Sequence, residues 1–156
     1  MATRKTQAIL TVVRKKSKER DNKGYDPNHW HWMESMVDWV ESQGFEYLQE
    51  GVSASCYVNK KLRLVIKIAK NDFGINIPRK RIPKRLQPYW LKPIYHSKYF
   101  MIQPLAQTDK NIKAWLDIAD RLKIDKNILA DNYDIHNENT GFYRRKPIFF
   151  DWTDFT

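Results

Sequence analysis

The sequence predicts an α+β fold, in which amphipathic helices accompany a set of antiparallel strands. Apolar residues recur at helical spacing over residues 29–43 and again over residues 109–123. The segments 45–69 and 91–105 are instead rich in β-branched and aromatic residues and are broken by short polar turns, which is typical of hairpins. Helices and strands that occupy separate runs of one chain define the α+β class.

Length and composition exclude several classes of protein. A chain of 156 residues is one ordinary domain, and 42% hydrophobic and 13% aromatic residues are enough for a core, so the chain is not disordered throughout. No window reaches the roughly 18 apolar residues that span a bilayer, and the first residues, MATRKTQ, lack the apolar part of an export signal. The single cysteine, Cys56, excludes an internal disulfide and a cysteine-based zinc site. We therefore expect a cytoplasmic protein with no membrane partner.

The charge of the chain is strongly positive. There are 28 Lys and Arg against 18 Asp and Glu, a formal net charge of +10. Such a surplus favours polyanionic partners, namely nucleic acid, nucleotide phosphates or acidic protein surfaces, and does not choose among them. Residues 1–27 hold eight of the basic residues against three acids, with one short apolar run at 8–13. This pattern predicts a basic N-terminal arm.

The remaining residues, 28–156, are predicted to form a single domain that begins with a helix within 28–44. Asn28 is a suitable N-cap and Gly44 ends the helix. The apolar face of this helix is made by residues at helical spacing: Trp30, Met33, Val37 and Val40.

About five strands follow between residues 45 and 105. Strands are predicted over 45–48, 56–58 and 62–68, with a turn at 59–61. Three prolines between residues 72 and 92 argue against a long helix there. Two further strands are predicted within 91–105, on either side of a turn at 96–98.

The last part of the chain, 106–156, predicts an amphipathic helix, a polar loop and a final strand. The helix covers about 109–123, the loop runs from Asp131 to Lys146, and the strand is Ile148–Phe150.

Three motifs in this order carry chemistry. The first is the segment from Gly51 to Val58, which matches G-x-G-x-x-G-x-V with Ser53 and Cys56 at the second and third glycine positions. Small residues let a backbone turn close over phosphates, although one glycine in a hairpin is equally typical of an ordinary turn. The second is Lys67 in the run Val65–Ile68, which resembles V-A-I-K. A lysine within an apolar strand needs an anionic partner or a route to water, and a solvent-facing position is the alternative.

The third motif is the segment from Asn132 to Asn139. Asp134 and Asn139 have the spacing D-x-x-x-x-N of a kinase catalytic loop, and an apolar strand then ends in Asp151. The alternative is a polar turn rich in Asn and Asp. That alternative does not explain the apolar strand that ends in an acid, nor the order of the three motifs.

Taken together, residues 45–156 resemble the protein-kinase-like fold, and are most similar to the catalytic part of early serine/threonine kinases of tailed bacteriophages. The resemblance implies a truncated fold, with an antiparallel N-lobe sheet over 45–105 and a short helical and catalytic-loop remnant of the C-lobe over 106–156. It also implies ATP and Mg²⁺ as cofactors, a host protein as the substrate or target, and the bacterial cytoplasm as the location.

The resemblance further implies a role for each matching residue. Lys67 would hold the α- and β-phosphates, and Asp134 would accept or orient the substrate hydroxyl. Asn139 and Asp151 would bind Mg²⁺, and His136 would brace the loop. The nucleotide would also meet the backbone of the glycine loop and the hinge beside the adenine, at Gly51, Ser53, Ser55 and Gln103.

The chain departs from the kinase pattern in two ways. Between Lys67 and Asp109 the only acid is Asp72, so the usual helix glutamate is missing, and candidates to replace it are Glu34, Asp38 and Glu41. Asp151 precedes Trp-Thr rather than Phe-Gly, and an activation segment and a peptide-binding helical lobe are not expected.

Three functions remain open at this point. The first is ATP- and Mg²⁺-dependent phosphoryl transfer to Ser or Thr of host proteins. The second is an inactive, pseudokinase-like protein that binds and inhibits a host protein through its basic surface. The third is a nucleic-acid-binding protein that uses the basic stretches 4–23 and 79–85 together with four aromatic residues: Trp30, Trp32, Tyr89 and Trp90.

Overall fold

The computed structural model describes residues 3–51, 53–75 and 82–150, and it confirms the α+β class. The helices are α1 (Arg4–Lys23), α2 (His29–Ser42), α3 (Asn111–Leu122) and α4 (Lys126–Tyr133), with short 3-10 turns at Gln87–Tyr89 and Asn137–Asn139. The strands are β1 (Glu46–Glu50), β2 (Ala54–Asn59), β3 (Leu64–Ala69), β4 (Tyr95–His96), β5 (Phe100–Pro104), β6 (Thr140–Tyr143) and β7 (Lys146–Phe149).

The expected domain comprises two compact units. Unit 1 consists of Met1–Asn76 and Pro93–Leu105, and unit 2 consists of Ile77–Lys92 and Ala106–Thr156. Of the helices in the described ranges, none is long and apolar enough to cross a membrane.

Unit 1 is built on a five-stranded antiparallel sheet in the order β1-β2-β3-β5-β4. The hairpin between β2 and β3 turns where the sequence predicts it, because the side chain of Asn59 accepts a 2.9 Å hydrogen bond from the backbone N–H of Leu62. In the middle of the sheet, Lys67 of β3 pairs with Cys56 of β2 on one side and with Met101 of β5 on the other. β3 therefore has a hydrogen-bonded neighbour along both edges.

One face of this sheet forms the main core of unit 1 together with α1 and α2. Ile66 and Ile68 of β3 are fully buried there and belong to the same cluster as Met36 and Val40 of α2. Because side chains alternate along a strand, Lys67 lies on the opposite face of the sheet.

The structure corrects the expectation of a polar arm over residues 1–27. Residues 4–23 form a helix of 20 residues, which begins where the Thr3 side chain accepts a hydrogen bond of 3.1 Å from the N–H of Thr6. The short apolar run lies in the middle of this helix, and its buried residues join the core: Ile9, Leu10 and Val13. The helical repeat is hard to recognise in the sequence because three of the buried positions are polar: Thr6, Ser17 and Arg20.

The side chain of Arg20 is completely buried and makes three polar contacts. Its Nη1 donates to the carbonyl oxygen of Gly24 at 2.7 Å, its Nε donates to Nδ1 of His29 at 3.0 Å, and its Nη2 bonds to the Asp72 carboxylate. The guanidinium also lies over the ring of Tyr99, 4.3 Å from its centroid. A buried charge is tolerated when it is paired and hydrogen-bonded in this way.

The network continues from His29 to the sheet and from Asp72 to the loop before α2. His29 Nε2 donates to the carbonyl oxygen of Ala69 at 2.8 Å, so the ring is a neutral tautomer with its proton on Nε2. Burial lowers the pKa of His29 from 6.5. Burial alone would raise the pKa of Asp72, but bonds from the N–H of Asp26 and from Arg20 outweigh it and lower the pKa below 3.8.

Unit 2 packs α3 and α4 against the antiparallel β6–β7 hairpin. Its core holds Ile118, Leu129, Ile135 and Phe149, each fully buried. The sequence predicts a polar loop from Asp131 to Lys146. In the structure, α4 extends into the start of this segment, and β6 lies within it. Only Leu129 of α4 is buried, so this helix has almost no apolar repeat to reveal it. The N-cap at Asp125, which accepts from the N–H of Asn127 at 2.8 Å, is the one local signal of its start.

Replacing a buried residue of α1 tests whether this segment is part of the core. We expect Ile9→Ala to lower the free energy of unfolding by about 2–5 kcal/mol, because it leaves a cavity among packed side chains. Lys15→Ala, on the exposed face of the same helix, should change it by less than about 0.5 kcal/mol. Denaturant unfolding followed by circular dichroism measures both, and equal stabilities of wild type and Ile9→Ala would contradict the packing of α1.

The buried imidazole of His29 predicts that unfolding depends on pH. Because the folded-state pKa lies below the ordinary 6.5, the unfolded chain binds more protons as pH falls below 6.5. Stability is therefore complete above this value and falls towards pH 5, with a slope of at most about 1.4 kcal/mol per pH unit. The carboxylates of Asp26 and Asp72 titrate below 3.8 and add nothing in this window.

The contribution of His29 is isolated by denaturant unfolding of two variants between pH 5 and pH 8. His29→Gln removes the titrating group and should flatten the dependence. His31→Gln, at an exposed position two residues away, should keep it. The same slope in wild type and His29→Gln would assign the pH dependence to other groups.

Candidate functional site

The site predicted from D-x-x-x-x-N forms one compact turn in unit 2. Asp134 caps the C-terminus of α4 in the left-handed region, with φ of 54°, which Asp tolerates better than most residues. Its N–H donates to the carbonyl oxygen of Ala130 at 3.1 Å, and the N–H of Ile135 donates to that of Leu129 at 3.0 Å. Ile135 is fully buried in the core of unit 2. The turn is thus held between a helix end and a core side chain.

His136 fixes the direction of the Asp134 side chain. Its Nδ1 accepts a hydrogen bond from the N–H of Glu138 at 3.2 Å, so Nε2 carries the proton of the neutral ring. That Nε2 lies 3.1 Å from Oδ1 of Asp134 and donates to it. The two side chains remain accessible, with exposed fractions of 29% for His136 and 30% for Asp134.

Asn139 closes the turn from its other end. Its Oδ1 accepts from the N–H of His136 at 2.9 Å, and its Nδ2 donates to the carbonyl oxygen of Asp134. His136 and Asn139 therefore form a reciprocal capping box over the 3-10 turn. The backbone N–H of Phe150, after β7, donates to the carbonyl oxygen of Asn139 at 3.0 Å. Asp151, the next residue in the chain, lies outside the described residues.

The structure thus brings Asp134, His136 and Asn139 together, as the sequence motif requires. The side-chain bonds that do this were not predicted in detail. The signal was present, however, because a polar N-cap followed three residues later by an amide is the pattern of a capping box.

Lys67 lies in unit 1, at the centre of the sheet. It is half-buried, and it shares its face of the sheet with Val65 and with the neighbours Cys56 and Met101. Gln103 occupies the same face, beside Val65 on β5, and is 4% exposed. Two polar side chains therefore stand on the face of the sheet that α1 and α2 leave uncovered.

The segment proposed as a glycine loop is the tight turn between β1 and β2. The N–H of Gly51 donates to the carbonyl oxygen of Ala54 at 2.8 Å, and the N–H of Lys70 donates to that of Ser53 at 3.0 Å. Gly51 has no positive φ, and a Cβ there would meet its nearest neighbour at an ordinary 3.5 Å. The backbone of this turn therefore does not itself require glycine at position 51.

The side chains at this turn are engaged with one another. Glu50 accepts a hydrogen bond from the Ser55 hydroxyl at 3.3 Å and one from the Lys70 ammonium at 3.2 Å. Lys70 also donates to the carbonyl oxygen of Gly51 at 3.2 Å. Ser55 is 1% exposed, so a nucleotide would meet the backbone of this turn rather than the Ser55 hydroxyl.

The helix acids suggested as partners of Lys67 lie elsewhere. Glu34, Asp38 and Glu41 are exposed on α2, and that helix packs on the Ile66 face of the sheet, opposite the face of Lys67. The other acid considered in the sequence, Asp72, is bound by Arg20.

Of the two residues predicted to bind Mg²⁺, Asn139 lies within the described ranges. Mg²⁺ prefers oxygen ligands, and the amide oxygen of Asn139 is of this kind, although it already accepts the N–H of His136. Within residues 3–51, 53–75 and 82–150, no three His, Cys, Asp or Glu side chains cluster as a metal site. The second predicted ligand, Asp151, is outside these ranges.

Comparisons with known proteins give no match: neither a protein family, nor a curated protein, nor a solved structure is significantly similar to this chain. The chemistry of the site has to be argued from its own residues.

The closed turn of unit 2 predicts a sharp difference between two asparagines. Asn139→Ala leaves the N–H of His136 and the carbonyl oxygen of Asp134 without their side-chain partner, and should lower the free energy of unfolding by about 1–3 kcal/mol. Asn137→Ala changes an exposed residue of the same turn and should have little effect. Hydrogen exchange at the amide of His136 and denaturant unfolding measure the difference, and equal effects would contradict the capping role of Asn139.

Proposed function

We propose that this chain is a small kinase-like protein that binds ATP with Mg²⁺ and transfers the γ-phosphoryl group to Ser or Thr of host proteins. The observation that carries the proposal is the turn in which a partly exposed carboxylate, Asp134, is oriented by His136 and tied to Asn139. An ordinary surface turn needs no such arrangement of its carboxylate.

Phosphoryl transfer requires mainly that the protein position the reactants and stabilise the negative charge of the phosphates. The substrate hydroxyl oxygen attacks the γ-phosphorus, the bond from that phosphorus to its bridging oxygen breaks, and ADP leaves. The hydroxyl proton passes to a carboxylate, for which Asp134 is the candidate. The contact between His136 Nε2 and one oxygen of Asp134 defines the orientation of the carboxylate.

The features of unit 1 support binding of the phosphates. Lys67 is a cation on the central strand of a sheet, in the V-I-K run, and a half-buried ammonium is stabilised by an anion. The β1–β2 turn lies at the start of β2 and beside the end of β3, where the N–H of Lys70 donates to the carbonyl oxygen of Ser53 at 3.0 Å. Gln103 supplies an amide on the same face of the sheet as Lys67.

Mg²⁺ would be held by Asn139 and Asp151 and would neutralise the charge that develops on the phosphates. The bond from Phe150 to the carbonyl oxygen of Asn139 supports this pair, because it joins the strand that precedes Asp151 to the turn that contains Asn139.

A second candidate is a kinase-like protein that binds a host protein without phosphoryl transfer. Two observations favour it. The β1–β2 turn holds a carboxylate, Glu50, which repels phosphates even when it is paired with Lys70. The helix α2, whose acids are exposed, packs on the face of the sheet opposite Lys67, so it does not supply the missing glutamate.

Thermal unfolding with ATP separates these functions. At about 100 times Kd, ATP with Mg²⁺ should stabilise the wild type by about 2.7 kcal/mol and raise Tm by about 5 °C or more. Lys67→Ala should abolish this increase, whereas Lys61→Ala, at an exposed turn position, should keep it. The absence of any increase with Mg²⁺ and ATP in the wild type would contradict the nucleotide site.

Transfer itself is measured with γ-³²P-labelled ATP, using dephosphorylated casein and a bacterial lysate as acceptors. Asp134→Asn keeps a residue that accepts positive φ and should keep the increase in Tm while losing transfer. Asp131→Ala, an exposed acid on α4, is the matched control and should be fully active. Nucleotide binding without transfer by the wild type would favour the second candidate, and equal transfer by Asp134→Asn would overturn the role of Asp134.

A further inference from the structure

The exposed face of α1 is strongly basic. Six positions of this helix are buried on one side, and the opposite side presents cations to solvent: Arg4, Lys5, Arg14, Lys15 and Lys18. These cations form a basic stripe in two groups, Arg4 with Lys5 and Arg14 with Lys15 and Lys18, which span about 21 Å of the helix at 1.5 Å per residue and leave residues 6–13 without a cation. Two acids are exposed at its C-terminal end, Glu19 and Asp21, and Glu19 lies 3.8 Å from the ammonium of Lys16.

Two aromatic side chains stand at the C-terminal end of this helix and are almost fully exposed. Tyr25 is 80% exposed and Phe73 is 89% exposed. Their loops touch, because the N–H of Asp26 donates to Oδ1 of Asp72 at 2.9 Å. Arg20, in the last turns of α1, bonds to both loops through Gly24 and Asp72. Both loops, and the exposed rings that they carry, are therefore tied to the C-terminal end of α1.

The two carboxylates in the loops that carry these rings are paired with cations. Asp72 is paired with Arg20, and Oδ2 of Asp26 lies 3.1 Å from the ammonium of Lys23. The N–H of Ile75 donates to the carbonyl oxygen of Lys98 at 2.7 Å, which holds the Phe73 loop beside an exposed lysine. Large exposed rings add nothing to the core and are accessible to a partner.

The other aromatic residues that the sequence offers for stacking behave differently. Trp32 packs against the core of unit 1, and Tyr89 and Trp90 pack against the core of unit 2. Trp30 is 51% exposed and is stacked on His31, with ring centroids 3.5 Å apart. The basic stretch 79–85 falls partly outside the described residues, and its Arg85 donates to the Tyr133 hydroxyl at 2.9 Å. The sequence therefore did not indicate which aromatic residues are most exposed, and the structure shows that Tyr25 and Phe73 are.

We propose that unit 1 binds single-stranded nucleic acid along the basic face of α1 and the rings of Tyr25 and Phe73. Lysine and arginine side chains on a helix face contact successive phosphates, and unpaired bases stack on exposed aromatic rings. Single-stranded nucleic acid supplies both the phosphates that match the cations and the flat bases that match the two rings. A duplex keeps its bases stacked on one another and offers them no face to contact. This binding uses none of the proposed phosphoryl-transfer residues.

The test is fluorescence anisotropy of the full chain with a labelled 20-nucleotide oligothymidylate at 50 and 200 mM KCl. Binding should weaken steeply with salt. The double variant Lys15→Gln/Lys18→Gln should reduce the slope of log Kd against log salt by about 1.4, since each single-strand phosphate contact contributes about 0.7. Lys60→Gln/Lys61→Gln removes the same charge from the exposed β2–β3 turn and should leave the slope unchanged.

The aromatic part is tested with Tyr25→Leu and Phe73→Leu, which keep apolar bulk and remove the ring. Each should weaken binding about five-fold or more, with unchanged unfolding, because both positions are exposed. Wild-type affinity in both variants, or no binding at 50 mM KCl, would overturn the proposal. Displacement of the oligonucleotide by polyglutamate at equal charge concentration would overturn it in favour of an acidic protein partner, and equal affinity for a duplex would overturn the single-strand preference.

Discussion

The buried guanidinium of Arg20 is the group on which the arrangement of unit 1 depends. It joins the last turns of α1 to the first turn of α2 through His29, and both to the loop after β3 through Asp72. Removing one member of such a set leaves a buried charge without a partner, which costs far more than the set adds to stability. The network therefore specifies how the elements of unit 1 are joined: α1 has to pack on the sheet, and the loop that carries Phe73 has to stay beside Tyr25.

The turn of unit 2 uses the same kinds of bond for a different result. Asp134, His136 and Asn139 also close on one another, yet Asp134 and His136 keep nearly a third of their surface exposed. In the Arg20 network, by contrast, Arg20 has no exposed side-chain surface and His29 is 3% exposed. Orientation together with exposure is what a carboxylate needs to meet a substrate, and orientation with burial serves the fold. This contrast distinguishes the Asp134 turn from the Arg20 network, which is buried and serves the fold.

Different basic residues of the chain serve the two proposed roles, nucleotide binding and nucleic-acid binding. The proposed nucleotide site uses one cation on the sheet, Lys67, whereas the proposed nucleic-acid surface uses several cations on the exposed side of α1. Net charge alone does not separate these uses, since both partners are polyanions. The distribution of the cations separates the two uses, because the basic stripe of α1 faces solvent. Lys67 instead lies on the face of the sheet that α1 and α2 do not cover.

The sequence by itself determined the elements whose repeat is carried by apolar residues: α2, the β2–β3 hairpin, the strands about the turn at 96–98, and α3. It also placed Asp134, His136 and Asn139 in one turn, because their bonds span only a few residues. Tertiary structure decided that α1 is a core helix, because half of its buried positions are polar and hide the apolar repeat. It also decided that α4 is a helix, because only one of its side chains, Leu129, is buried. The burial of Arg20 also depends on tertiary structure, because its partner Asp72 is 52 residues away in the chain. A charged residue can be recognised as buried only when its distant partner is known, and local patterns in the sequence carry no information about that pairing.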